Sequence, residues 1–366
     1  MRQRFFANKL DIRFGILTLA IIAITLITAC CKPTGKSTDT TTSPAPVVPT
    51  NNKKALSAGL LITPQGLNDK GFNDLANKAM KQAAAKGEID DIIIEPSTIN
   101  NPEASITFFA AQNFDLIIAV GAAYQDTVIK LAANNPATRF AIIDSDVKKD
   151  NVLGVSFKEE EGAYLCGYLA GKMTKTGKVG FIGGVKTPVI SRFYKGFANG
   201  VASTGKEVEI LEKYIATDFK GFNNPTVGNE IAKNMYENGY DVIFAPAGAS
   251  TLGIISAAVE KQGYVIGVDT NQDSLAPGLV LTSMVKRVDK VVEDILNALI
   301  KNEPLSSIKT SYGLSDGGIS LTDFALSRQA VGNELIAELK DIETKIISGE
   351  IDPLGQSNTL QKVNGQ

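Results

Sequence analysis

The sequence predicts an α/β protein of two doubly wound lobes, each a parallel sheet covered by helices. Three observations carry that prediction: short continuous apolar runs, helix-like segments between them, and a second series of the same kind further along the 366-residue chain. Strands covered on both faces read as unbroken apolar runs, whereas a half-exposed antiparallel strand alternates.

The first series has apolar runs at 55–62, 92–94, 116–120, 140–143 and 152–157, with helical segments at 72–86, 102–112 and 124–133. The second has runs at 179–182, 208–214, 242–244, 265–268 and 279–284, with helices at 190–201, 227–238, 251–261 and 288–300. The two series share no residue-level repeat. In open α/β sheets ligands sit beyond the carboxyl ends of the strands. The residues following each run are therefore the candidate site: Asn68-Asp69-Lys70-Gly71-Phe72-Asn73, Asp144, Phe244 through Gly248, Asp269 and Lys286.

Neither G-x-G-x-x-G nor G-x-x-x-x-G-K-[ST] occurs at those ends, so no nucleotide cofactor is expected and no cofactor of any other kind. Gly183-Gly184 and the Gly248/Gly253 pair read as tight strand-to-helix turns. Most single acids in such places cap helices. Asp144 and Asp269 stand apart because each directly follows a buried-looking strand, Ala141-Ile142-Ile143 and Ile266-Gly267-Val268.

Composition excludes several classes. The chain has no His, which removes Ser-His-Asp and Cys-His triads and imidazole zinc sites. Its 37 Lys+Arg against 39 Asp+Glu give a net charge of −2, which makes no case for gripping nucleic acid. Three Cys, Cys30, Cys31 and Cys166, build neither a disulfide framework nor a metal cage. The consecutive acids Glu159-Glu160-Glu161 at a helix start are explained by the helix dipole and solvent rather than by a cation.

Arg2, Arg4, Lys9 and Arg13 precede an uncharged stretch over 14–29, the order of a secretory signal. That stretch is shorter than the roughly 20 apolar residues of a spanning helix. Ile27-Thr28-Ala29-Cys30 resembles a bacterial lipobox, which makes Cys30 the lipidated new N-terminus and removes residues 1–29. The Thr-, Ser- and Pro-rich segment 30–54 then reads as a disordered tether. The protein is expected on the outer side of the cell membrane, lipid-anchored and facing periplasm or medium.

From about residue 55 to 353 the chain resembles the basic membrane protein family, substrate-binding lipoproteins of ABC importers with the purine nucleoside receptor as a type. The matches are Asn68-Asp69-Lys70-Gly71-Phe72-Asn73, Phe157 with Glu161-Gly162-Ala163-Tyr164-Leu165, and Phe181-Ile182-Gly183-Gly184. Further along come Arg192-Phe193 with Gly196-Phe197, Ile266-Gly267-Val268-Asp269, Thr282-Ser283-Met284-Val285-Lys286-Arg287 and Ile346-Ile347-Ser348-Gly349-Glu350-Ile351.

The resemblance implies a type I periplasmic-binding-protein fold, two lobes joined by three crossings, expected near 155–157, 283–284 and 308–310. Lobe 1 then takes 55–155 plus 284–308 and lobe 2 takes 156–283 plus 309–353, with a polar tail at 354–366. It also implies a nucleoside held without chemistry and passed to permease subunits, by a monomer that binds no nucleic acid. By the resemblance Phe72 stacks on one face of the base and Phe244 on the other, with Phe193 and Phe222 as substitutes for Phe244. Asp269 and Lys286 bind ribose, Asp144 reads its other side, Asn73 orients the base, and Asn68, Asp69 and Gly248 complete the site. Thr63-Pro64 stands where the family commonly has an acid, which puts purine preference in question, and Cys166 replaces a small residue as a buried thiol. The same fold holding a sugar is the alternative, and a nucleoside hydrolase using Asp144 and Asp269 a more distant one.

Overall fold

The computed structural model describes residues 56–96 and 102–355. The expected signal segment, the expected lipidation site Cys30 with the expected tether, and the expected tail from 356 lie outside the described residues. The first sheet begins with β1 (Ser57–Ile62), α1 (Phe72–Ala85), β2 (Asp91–Pro96), α2 (Pro102–Ala111), β3 (Leu116–Val120) and α3 (Gln125–Asn134). It continues with β4 (Arg139–Ile143), β5 (Lys148–Lys149) and β6 (Val152–Phe157). The second sheet follows with α4 (Glu159–Met173), β7 (Lys178–Gly183), α5 (Pro188–Ala202), β8 (Glu209–Tyr214) and α6 (Pro225–Glu237). Then come β9 (Val242–Phe244), α7 (Thr251–Lys261), β10 (Tyr264–Asp269) and β11 (Val280–Lys286). The chain ends with α8 (Val288–Ile300), β12 (Ser311–Tyr312), β13 (Ile319–Leu321), α9 (Arg328–Val331) and α10 (Asn333–Ser348).

The first sheet has the order β12-β6-β4-β3-β1-β2 and is parallel throughout that path, with β5 antiparallel on β6. The second runs β13-β11-β10-β9-β7-β8 and is parallel except for β13. The apolar runs fall where a doubly covered sheet needs them. Leu116, Ile118 and Val120 of β3 pack with α1, while Ile117 and Ala119 face Phe109, Phe114 and Tyr124 on the other side. In the second sheet Val179, Phe181, Val242 and Phe244 face α4 and α5, and Ile182, Ile243 and Val265 face α6 and α7.

Three passages join the lobes. The chain leaves β6 after Phe157, leaves β11 after Lys286, and passes from β12 to β13 through 313–318. The passage expected at 283–284 is displaced, because Val285 and Lys286 still pair with Ser320 and Ile319 of β13. That expected at 308–310 is displaced too, because Ser311 and Tyr312 extend the first sheet against Ser156 and Phe157.

Helix starts are fixed by local chemistry. Thr187 Oγ1 accepts from the Ile190 N–H and Asn224 Oδ1 from the Val227 N–H, each followed by proline at the first helical position. Helices α4 and α5 approach through glycine: a Cβ on Gly167 or Gly200 would lie 2.0 Å from the Phe197 or Tyr164 carbonyl oxygen. Cys166 is fully buried on α4, and burial pushes its thiol pKa far up, as for an inert core thiol. Among the described residues no helix is long and apolar enough to cross a membrane.

Candidate functional site

A cavity of about 890 Å³ lies between the lobes at the carboxyl ends of their strands. That is within the ~300–1,000 Å³ range of small-molecule sites. From lobe 1 it is lined by Thr63, Pro64, Gln65, Asp69, Phe72 and Asp144, and from lobe 2 by Arg192, Phe193, Phe222, Gly248, Asp269 and Lys286. Beside it the lobes are bridged by hydrogen bonds from Gln65 Nε2 to the Phe219 carbonyl at 2.7 Å and from Thr270 Oγ1 to the Lys70 carbonyl, among others.

Asp144 and Asp269 occupy matching places, just after β4 and at the end of β10. Both adopt left-handed backbone, with φ of 65° and 68°. For a non-glycine residue that costs on the order of 1–3 kcal/mol, and such strain gathers at ligand sites. Gly71 leaves room for Asp269, since a Cβ there would lie 3.2 Å from Asp269 Oδ2.

Lys286 is the charge centre. Only 2% exposed, its Nζ donates to Asp144 Oδ1 at 2.7 Å and to Glu159 Oε1 at 3.0 Å. The rings of Phe157, Phe72 and Phe193 surround it at 4.8, 5.1 and 5.9 Å from their centroids, within cation–π range. Burial opposes the ammonium, but Asp144, Glu159 and Asp269 outweigh it and push its pKa up to about 12. Three acids around one lysine leave one of them poorly compensated. Burial, with Asp69, Asp144 and Glu159 nearby, raises Asp269 to about 7 against the pull of Lys286.

The structure separates the sequence-nominated residues. Phe72, Asp69, Asp144, Gly248, Asp269 and Lys286 line the cavity together. Asp69 also accepts from the N–H groups of Gly71, Asn73 and Asp74, so it caps α1. Phe244 is corrected: it is fully buried, stacked on Phe197 with centroids 5.4 Å apart and against Phe181 and Phe193. Its position on β9 points it to the α4–α5 face. The substitutes Phe193 and Phe222 line the cavity instead. Phe193 is buried and Phe222 half-buried, and Phe222 seats on two glycines: a Cβ on Gly184 would lie 2.4 Å from its ring, and one on Gly248 3.0 Å from its carbonyl.

Asn68 and Asn73 are corrected as well. Asn68 is exposed off the cavity, its N–H donating to Asp74. Asn73 is buried and spent on the loop ahead of α1. Its Nδ2 donates to Thr63 Oγ1 and the Gly66 carbonyl, and its Oδ1 accepts from the Thr63 N–H. It shapes the rim by holding Thr63, rather than offering a group to a base.

Sequence reasoning missed Glu159. It is 0% exposed and bridges two cations, Lys286 and Arg192 Nε at 2.8 Å. The assignment of 159–161 to solvent is thus corrected: Glu161 is also buried, accepting from the Leu314 N–H and pairing with Lys158. A signal was available, since Glu159 stands two residues past the end of β6, in the strand-end zone that also holds Asp144 after β4. Among the described residues no group of three or more His, Cys, Asp or Glu is placed to hold a metal.

Residues 57–355 match the family described as ABC transporter substrate-binding protein, PnrA-like. The chain belongs to this Bmp family. It is 35% identical over 268 residues to basic membrane protein D of Borreliella burgdorferi, covering 71% of this chain and 77% of that one. It is 30% identical over 322 residues to the ABC transporter nucleoside-binding protein BmpA of Lactococcus lactis, covering 82% and 89%. Among solved structures, an ABC transporter solute-binding protein of Aeropyrum pernix superposes with TM-score 0.71 and 25% identity, covering 81% and 92%. One from Conexibacter woesei superposes at 0.62 and 22% and speaks for the fold alone. The two-lobe architecture is the type I periplasmic-binding-protein fold, and Bmp members are the substrate-binding components of ABC transporters.

Proposed function

We propose that this Bmp protein captures nucleosides, purine nucleosides foremost, and hands them to its permease without transforming them. One observation carries the reading: Phe72 from lobe 1 and Phe222 from lobe 2 line the same cavity as Asp144, Asp269 and Lys286. Two aromatic walls suit a flat base, and buried charged groups suit ribose hydroxyls, at about 1.5–3 kcal/mol per charge-assisted hydrogen bond. The Lactococcus relative's name supports the same cargo. Ligand touching both lobes favours the closed arrangement by its differential affinity for it.

The chain acts as a monomer, held on the outer face of the membrane through lipid on Cys30. Support for the anchor is Ile27-Thr28-Ala29-Cys30 behind its apolar stretch. Two or more acyl chains give stable anchoring.

Thermal unfolding of the full chain against nucleosides, bases and sugars tests the cargo. A ligand that binds only the folded state adds RT ln(1 + [L]/Kd), about 2.7 kcal/mol at a hundredfold excess over Kd. Stabilisation by adenosine, guanosine and inosine but not by ribose is expected. Stabilisation by sugars alone would keep the fold and overturn the nucleoside.

A further inference from the structure

The cavity wall holds a carboxylate with a buried oxygen atom that the nucleoside reading does not use. Glu160, in the first turn of α4, lines the cavity, and its Oε2 is buried with no hydrogen-bond partner. The nearby cations give their closest contacts to other acids, and Arg192 keeps only a long ion pair to Glu160. Arg192 Nε lies 3.9 Å away but donates to Glu159 at 2.8 Å. Lys286 is held by Asp144 and Glu159, and Lys158 by Glu161. Burial accordingly pushes the Glu160 carboxyl pKa upward.

Its placement is fixed rather than accidental. A Cβ on Gly196 would lie 2.4 Å from the Glu160 carbonyl oxygen, so α5 presses directly on this turn. A buried acceptor without a donor is costly, and a ligand hydroxyl removes that cost on binding. Through Arg192 and Glu159, Glu160 also borders the charge network of Lys286 and Asp144, the groups assigned to ribose.

We propose that Glu160 is a specificity residue that accepts a hydrogen bond from one sugar hydroxyl of the bound nucleoside. The inference rests on the nucleoside reading and adds a third acid, beside Asp144 and Asp269, to the sugar end of the site. It predicts discrimination among deoxy sugars by a residue outside the Asp144, Asp269 and Lys286 set.

The test is a titration of the full chain, wild type and Glu160→Gln, with adenosine and its 2′-, 3′- and 5′-deoxy analogues. In wild type at least one analogue binds about tenfold or more weakly than adenosine. In Glu160→Gln that analogue and adenosine come within about threefold of each other, while the other two keep their wild-type ratios. Glu160→Ala gives the same pattern, and both variants unfold no earlier than wild type without ligand, because a desolvated carboxylate has been removed. Unchanged ratios for all three analogues in the variants overturn the proposal, whether or not overall affinity falls. Wild type that binds no nucleoside at all is the separate failure of the nucleoside reading.

Discussion

Lys286 Nζ stands 2.7 Å from Asp144 Oδ1, and that contact joins the end of β11 in one lobe to the turn after β4 in the other. The same nitrogen holds the fully buried Glu159 at 3.0 Å. Removing the cation strands two buried acids, a change that typically costs about 3–5 kcal/mol. Lys286→Met is therefore expected to lower the denaturant midpoint strongly, and Asp144→Asn in the same chain to restore part of the loss. An unaltered midpoint in Lys286→Met would show that the acids do not depend on the ammonium.

Asp269 gives the unliganded protein a pH signature. Its pKa stands at about 7 against an ordinary 3.8, so between those values the folded protein holds a proton that the unfolded chain has released. Stability contributed by this group is present below about pH 4 and is lost as pH rises through about 7. Asp69 and Asp144, also pushed up by burial, act in the same direction. Asp269→Asn should flatten the slope over that window in unfolding titrations. A hydroxyl donating to Asp269 needs the carboxylate, so nucleoside affinity should rise with pH through 7 in wild type and not in Asp269→Asn.

The phenylalanines divide into two classes by what substitution affects. Phe72→Ala and Phe222→Ala should each weaken nucleoside binding about 5- to 150-fold, the equivalent of ~1–3 kcal/mol of stacking, with little change in unfolding. Phe244→Ala should instead cost about 3–5 kcal/mol of stability, because it opens a hole among Phe181, Phe193 and Phe197. Calorimetric titration well below the unfolding temperature checks both. A Phe222→Ala protein that binds as wild type does removes the second aromatic wall.

Cys30→Ala is expected to move the protein from the membrane fraction to the soluble one, and mass spectrometry of the wild type to find an acylated N-terminus at residue 30. Retention of the variant in the membrane would overturn the anchor.

Much of the fold was legible because a doubly covered sheet writes itself as apolar runs. Leu116 to Val120 and Val152 to Phe157 coincide with β3 and β6. The crossings were harder, since they depend on pairing between segments far apart in the chain: Val285 with Ser320, and Tyr312 with Phe157. At the site, strand-end reasoning found Asp144, Asp269 and Lys286, all of which line the cavity. It failed at Phe244 because a strand three residues long gives no alternation from which to read its face. It failed at Glu159 because three adjacent acids look solvated until a buried lysine and arginine are seen to meet one of them. Asn73 looked like a binding residue because its partners, Thr63 and Gly66, lie in a loop whose path the sequence does not reveal.

The glycine seam between α4 and α5 bears on how selective such a site can be. At Gly167, Gly196 and Gly200 backbone rests on backbone, so at those three points no side chain can be rearranged to let the helices shift. Glu159 and Glu160 on one helix and Arg192 and Phe193 on the other thus form a single hard mould. A solute of the wrong shape meets a wall with no give, and has to be refused rather than accommodated.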